Sequence, residues 1–302
     1  MKRYLPIWIA VVFFLGFCAA YAFQNFESAT PTEPTQPLYI AGFLTKGEQT
    51  FYQTETGEMH IGWLELEGAR YYFDPSGVLQ TGWLQENGNT YYLDASGKAC
   101  RGKTEIDGRT HYFASTGAEI IVVNPWNFIP EDYEVDLVEV EDGYTVDRSC
   151  LQALLEMLSA CRKEGYEVQI VSAYRTHATQ VRLFNNRVQR YLDSGYSEEE
   201  SRKKAATSVA VPGTSEHQTG LAVDLVDADN WALNETQANT HTQKWLMAHC
   251  WEYGFILRYP NGKTESTGII YEPWHYRYVG AELAKEIHKS GLCLEEYFLS
   301  LQ

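Results

Sequence analysis

The spacing of apolar and polar positions changes twice along this chain. From Tyr4 to Phe23 the residues are almost all apolar, behind Lys2 and Arg3. A run of about 20 such residues is long enough to span a bilayer, with its basic end on the cytoplasmic side. Residues 1–26 therefore read as an uncleaved membrane anchor, with a removed secretory signal ending near Ala20-Tyr21-Ala22 as the alternative. Either reading exports the remainder. Residues 27–39 are polar and rich in proline, which predicts an extended linker.

From 40 to 121 the pattern repeats every 20 residues, in units opening at Gly42, Gly62, Gly82 and Gly102. Each unit carries a short aromatic strand, Tyr71-Tyr72-Phe73 in the second, between glycine-containing turns such as Asp74-Pro75-Ser76-Gly77. The spacing predicts one β-hairpin per unit. A single hairpin of this size buries no core, so the units are expected to stack as a small solenoid.

Beyond Val122 the period disappears, and 122–302 reads as an α+β domain with a mixed or antiparallel sheet. Asp147 caps a helix with Leu151, Leu154, Leu155, Leu158 and Cys161 on its apolar face, ending at Gly165. "YEVQIVSAY" is a strand, and a helix follows over about 178–192. Ser197 and Glu200 form a capping box for another helix. "LAVDLV" is a buried strand, and a helix over 242–253 stops at Gly254 ahead of the strand "FILRY". "IIYEPWHYRYV" is the last strand, and "AELAKEIHKS" a final helix closed by Gly291.

The formal charge is −16, which argues against a nucleic-acid partner, since phosphate backbones need a basic footprint. Of six cysteines, Cys18 lies in the apolar segment, and the other five cannot all pair within one chain. Cys150 and Cys161 fall on one helix, roughly 16 Å apart and too far to bridge. The five read as buried free thiols.

Two segments carry chemistry. In "TSEHQTGLAVDLV", Gly220 lets the chain turn between His217 and Asp224, so both side chains can meet although an odd spacing would part them on a straight strand. Asp224 lies among Ala222, Val223, Leu225 and Val226, where a carboxylate is costly unless paired or metal-bound. In "EPWHYRYVG", Pro273 breaks the strand between Glu272 and His275. Past it, Trp274, Tyr276 and Tyr278 share one face, and His275 and Arg277 the other. Two imidazoles and one carboxylate, His217, His275 and Asp224, form a three-ligand zinc set with an open fourth position. Glu272 supplies the general base that a zinc peptidase requires. Arg277 is placed to orient Glu272 or Asp224.

"SEHQTGLAVDL" and "EPWHYRYVG" resemble the two signature motifs of the VanY-type D-alanyl-D-alanine carboxypeptidases, a group that includes L,D-carboxypeptidases of the cell wall. The similarity runs from about 122 to 300 and takes in "VNPWNFIPEDY" and "SAYRT". It implies a zinc carboxypeptidase fold with His217, Asp224 and His275 as ligands, Glu272 as catalytic acid and base, and Arg175 as the group that binds substrate or transition state. Gln180 and Ser215 are further expectations for hydrogen bonds to the peptide substrate. The 20-residue units resemble choline-binding and glucan-binding repeats of Gram-positive surface proteins. Gly62-Trp63 and Gly82-Trp83 match well, whereas the Trp that such choline pockets place before the Tyr pair is here Thr50, Arg70, Thr90 or Thr110. Binding of wall glycan or teichoic acid and a plain spacer both stay open for the repeats.

The expected function is zinc-dependent removal of the terminal D-Ala from peptidoglycan stem peptides at the outer face of the membrane or in the wall. The alternatives are L,D cleavage of tetrapeptides, endopeptidase action on cross-links, and an inactive wall-binding protein.

Overall fold

Why the repeats become hairpins is visible at their turns. Glu67-Gly68, Asn87-Gly88 and Asp107-Gly108 all take positive φ, the type I′ geometry whose twist matches that of paired strands. The strands are β1 (Gly42–Lys46) with β2 (Gln49–Gln53), β3 (Gly62–Leu66) with β4 (Ala69–Phe73), β5 (Gly82–Glu86) with β6 (Asn89–Leu93), and β7 (Gly102–Ile106) with β8 (Arg109–Phe113). This computed structural model describes residues 39–131 and 133–301; the expected anchor over 1–26, with Cys18, and all of the linker but Tyr39 lie outside them. Among the described residues no helix is long and apolar enough to cross a membrane.

The units stack as expected, through one backbone bond each. Leu79 N donates to Thr50 O at 2.7 Å, Ala99 N to Arg70 O at 2.8 Å and Glu119 N to Thr90 O at 2.8 Å. Ring contacts repeat with the same period: Phe43 on Tyr71 at 5.2 Å, Trp63 on Tyr91 at 4.7 Å and Trp83 on His111 at 5.0 Å. Phe73, Leu93 and Phe113 are fully buried between units. Each contributes about 1.5–3 kcal/mol by leaving water.

The fourth unit departs from the pattern because its neighbour is not another hairpin. Two helices of the following domain, α6 (Ala281–Ser290) and α7 (Leu294–Ser300), pack on it instead. Tyr112 meets Phe298 with ring centres 5.2 Å apart, and Ser115 Oγ donates to Glu286 Oε1 at 2.7 Å. A side chain at Gly102 would press on Phe298 O and Leu301. The stack and the α+β domain thus share one apolar core at their junction.

The larger domain is built on a four-stranded antiparallel sheet in the order β11 (Val168–Ser172), β12 (Ala222–Asp227), β14 (His275–Tyr278), β13 (Phe255–Leu257). A short pair, β9 (Leu137–Glu139) and β10 (Thr145–Asp147), precedes it. Helices α1 (Arg148–Lys163) and α4 (His241–His249) cover one face, where Val223, Leu225 and Tyr276 join the main core. Alternate residues of the same strands, Asp224 and His275 among them, therefore face the other side. Three helices complete the domain: α2 (His177–Asp193), α3 (Glu198–Ala206) and the short α5 (Thr264–Thr267).

Asp147 caps α1 as its sequence predicts, accepting from Ser149 N, but the buried face is Cys150, Leu154, Met157, Leu158 and Cys161. Leu155 is exposed, because the helix turns it to the edge of that stripe. The Ser197–Glu200 capping box on α3 is present. The helix expected over 242–253 tightens to a 3₁₀ turn after His249 before Gly254 ends it. The last strand is shorter than its apolar run, since Pro273 lies in a turn closed by His275 N donating to Glu272 O at 3.1 Å. The five described cysteines are free thiols, four buried and Cys100 partly so.

Candidate metal centre and active site

Strand pairing fixes half of the site. Asp224 and His275 are register partners between β12 and β14, and His275 Nδ1 lies 3.1 Å from Asp224 Oδ1. His217 reaches the same point from a 3₁₀ turn, Glu216–Thr219, that ends at Gly220 with φ 72°. A Cβ on Gly220 would come within 2.8 Å of both Asp147 N and Val135 Cγ1, so this turn requires glycine.

His217 Nδ1 lies 2.7 Å from Ala173 O, an atom that can only accept, so Nδ1 carries the proton. The lone pair is left on Nε2, 3.3 Å from Asp224 Oδ2. One donor atom from each of His217, Asp224 and His275 falls within a 4.8 Å span. Ligands on a tetrahedral ion with bonds near 2 Å stand about 3.3 Å apart, which the 3.1 and 3.3 Å separations of Asp224 from His275 and His217 match. Asp224 Oδ1 is buried without a hydrogen-bond partner, an arrangement a coordinating cation would satisfy.

The electrostatics agree with the geometry. Burial, followed by the Arg175 charge, lowers the His217 pKa to about 4, so its imidazole is neutral at pH 7. Burial opposes ionisation of Asp224, yet His217 and His275 hold it well below the usual carboxylate range. Burial also disfavours charge on His275, but the close carboxylates of Asp224, Glu216 and Glu272 prevail and raise it to about 9. The negative surroundings that favour a proton there favour a metal cation in its place.

Glu272 stands beside this cluster, with Oε2 3.7 Å from His275 Nδ1. Burial pushes its carboxyl up to about 8, against the pull of His275. Arg175 leaves the end of β11 and is fixed on several sides: Nε donates to Ser172 Oγ at 2.9 Å, Nη1 to Gln180 Oε1 at 3.3 Å and Nη2 to Asp224 Oδ2 at 3.0 Å. Arg175, Ser215, His217, Asp224, Glu272 and His275 all line one cavity of about 250 Å³. Gln180 does not line it; its amide is buried behind Arg175, with Nε2 donating to Ala210 O at 2.7 Å.

Arg277 does not reach Glu272 or Asp224. It is turned beneath the site, where Nη1 donates to Glu216 Oε1 at 2.8 Å and Nη2 to Ile121 O at 2.7 Å. Sequence reasoning also passed over Arg187 and Arg190, which α2 brings to the cavity wall, and Tyr259, whose ring lies 4.8 Å from that of His275. Arg187 and Arg190 lie three apart on one helix, a spacing that puts both on one face; nothing in the sequence says which face meets the cavity.

In the hairpin stack, the Arg70 guanidinium lies 4.3 Å from the centre of the Trp63 ring and pairs with Glu65 at 2.6 Å. It covers the π-face that a quaternary ammonium would need.

A family model described as D-alanyl-D-alanine carboxypeptidase, VanY, matches residues 143–281, and a choline-binding repeat model matches 60–103. A D-alanyl-D-alanine carboxypeptidase of Enterococcus faecalis is 43% identical over 178 residues, covering 59% of this chain and 65% of that protein. The chain thus spans just under two thirds of the length of the first curated relatives it matches. A vancomycin-resistance D,D-pentapeptidase VanY, solved as a mutant in complex with Zn(II), is 41% identical with a TM-score of 0.54, over 59% of this chain and 97% of that one. The LdcB LD-carboxypeptidase is 36% identical with a TM-score of 0.54, over 67% of this chain and 95% of that one.

Proposed function

We propose, from the premise that this chain belongs to the VanY family of D-alanyl-D-alanine carboxypeptidases, that it is a zinc carboxypeptidase removing the terminal D-Ala of peptidoglycan stem peptides. The observation that carries this reading is the convergence of His217, Asp224, His275, Glu272 and Arg175 on one cavity.

His217, Asp224 and His275 are the residues that would hold the ion. An ion bound there would supply Lewis acidity, to polarise the scissile carbonyl and acidify a water. Glu272 takes the proton from the attacking water and passes it to the departing amine of D-Ala. A carboxyl raised toward neutrality suits both halves of that transfer. Arg175 presents a planar fork to the terminal carboxylate and to the developing oxyanion, and Gln180 and Ser172 hold that fork in place. Ser215 lines the cavity as a hydrogen-bonding group for the peptide. Arg187 and Arg190 concentrate positive charge at the cavity of a chain whose net charge is −16. That suits a substrate carrying carboxylates.

L,D cleavage is the second reading, favoured by the likeness to the LD-carboxypeptidase over most of that chain's length. Incubation of the purified full chain with zinc and defined stem pentapeptide or tetrapeptide, with products weighed by mass spectrometry, tests both. Loss of one Ala from the pentapeptide alone supports D,D specificity, and loss from the tetrapeptide alone supports L,D. Cleavage of neither overturns the proposal.

The apolar segment 1–26 is the single-pass anchor in this reading, and the stack holds the peptidase outside the membrane, in contact with wall polymer. The Arg70 cover on Trp63 favours a spacer or polymer contact over choline at that unit.

A further inference from the structure

Glu216 immediately precedes His217 but does not face the cavity. Its side chain is fully buried beneath the site. Oε1 accepts from Arg258 Nε and from Arg277 Nη1, each at 2.8 Å, which fills both lone pairs of that oxygen. Both guanidiniums are locked from behind. Arg258 pairs through Nη1 and Nη2 with the Glu295 carboxylate at 2.9 and 2.5 Å, and Arg277 donates to Ile121 O and Tyr278 O. The carboxylate of Glu216 is therefore fixed in rotation, and Oε2 is directed elsewhere.

That other oxygen lies 3.8 Å from His275 Nε2. Both atoms are buried and neither has a hydrogen-bond partner, a costly state for each alone. On the far side of the ring, Nδ1 faces Asp224 and Glu272. We propose that Glu216 is a positioning residue for the metal centre: its Oε2 receives Nε2–H of His275, which keeps the Nδ1 lone pair turned toward the ion. The inference rests on the metal-site reading above. Carboxylates behind ligating imidazoles fix tautomer and ring orientation, and their loss weakens metal affinity by about 10–100-fold.

The arginines make the test sharp. In E216Q they claim the amide oxygen, so the amide NH₂ must face His275 Nε2. A donor then stands where an acceptor stood, and the ring is driven to the wrong tautomer. The experiment is zinc titration of the full chain against a competing chelator, for the parent, E216Q and the charge-balanced pair E216M/R277M. Expected is zinc binding weakened about 10–100-fold in E216Q, with folded-state circular dichroism retained. Ring ¹⁵N shifts of His275 in the metal-free protein should change from Nε2–H in the parent to Nδ1–H in E216Q. If E216Q does not fold, the charge-balanced pair decides by the same titration, again with weaker zinc expected. A merely structural Glu216 would lower the melting temperature and leave both zinc affinity and tautomer unmoved. Zinc affinity within twofold of the parent in whichever variant folds overturns the proposal while leaving the peptidase reading intact. A parent that takes up no zinc overturns both.

Discussion

Asp224 faces His275 across the pairing of β12 and β14, with Oδ1 and Nδ1 3.1 Å apart, so two of the three expected metal ligands are held by sheet register. A ligand pair set this way needs no ordering of loops before the ion enters. His275→Ala should reduce bound zinc from one per chain to a small fraction, measured by elemental analysis after dialysis. Peptidase activity should fall at least about 10³-fold, since the metal supplies several kcal/mol of transition-state stabilisation. Zinc retained at one per chain in this variant would remove His275 from the ligand set.

Glu272 lines the cavity beside the ligands without belonging to their cluster. Glu272→Gln should therefore lower kcat by about 10²–10⁴-fold, the usual range for a proton-transfer group. Zinc content should be unchanged and KM little altered. Steady-state kinetics on a stem peptide and zinc analysis of the same sample check this together, and a kcat near the parent's would assign the proton transfer to another group.

Arg187 and Arg190 project from α2 into the cavity wall but are not part of the metal cluster. R187A/R190A should raise KM several-fold and leave kcat close to the parent value. The KM difference should shrink as salt is raised from about 0.05 to 0.5 M, because the screening length falls from about 14 Å to about 4 Å over that range. A fall in kcat with KM constant would instead put these arginines in the chemical step.

Burial raises the thiols of Cys150, Cys161 and Cys250 from 9.0 to about 12, and that of Cys293 to about 11. The folded protein thus keeps protons that the unfolded chain releases above pH 9. Stability is fully present below that pH and declines through the window from 9 to about 11 or 12. Each thiol lost to the unfolded side costs about 1.4 kcal/mol per pH unit. Buried Tyr259 and Tyr276, also raised by burial, add the same sign above pH 10. Urea midpoints should fall between pH 8 and pH 10, and iodoacetamide at pH 8 should label Cys100 well before the other four described cysteines. A midpoint indifferent to that pH step would contradict the burial of these thiols.

Much of this site could be read from residue order, because the groups that carry it lie in two short segments with a turn-forming Gly220 or Pro273 inside each. Local parity placed Tyr276 in the core and His275 away from it, as found. Parity could not tell where Arg277 ends, since its partner Glu216 lies 61 residues away in sequence and meets it only through the sheet. The same limit hid Arg258, Glu295 and the cavity arginines of α2, whose roles depend on tertiary packing. The hairpins were legible because their period is local. The weak fourth unit looked like decay in the sequence, yet its Gly102 and Tyr112 are fitted to α7.

That junction has an evolutionary consequence. The first three hairpins meet their neighbours through the same backbone bond and ring contact, so duplication or loss of a 20-residue unit keeps that stacking mode. The fourth is welded to α6 and α7 of the larger domain and is not exchangeable. The stack is thus a ruler with one fixed end: its length can change in whole units while the contacts that bring His217, Asp224 and His275 together stay the same.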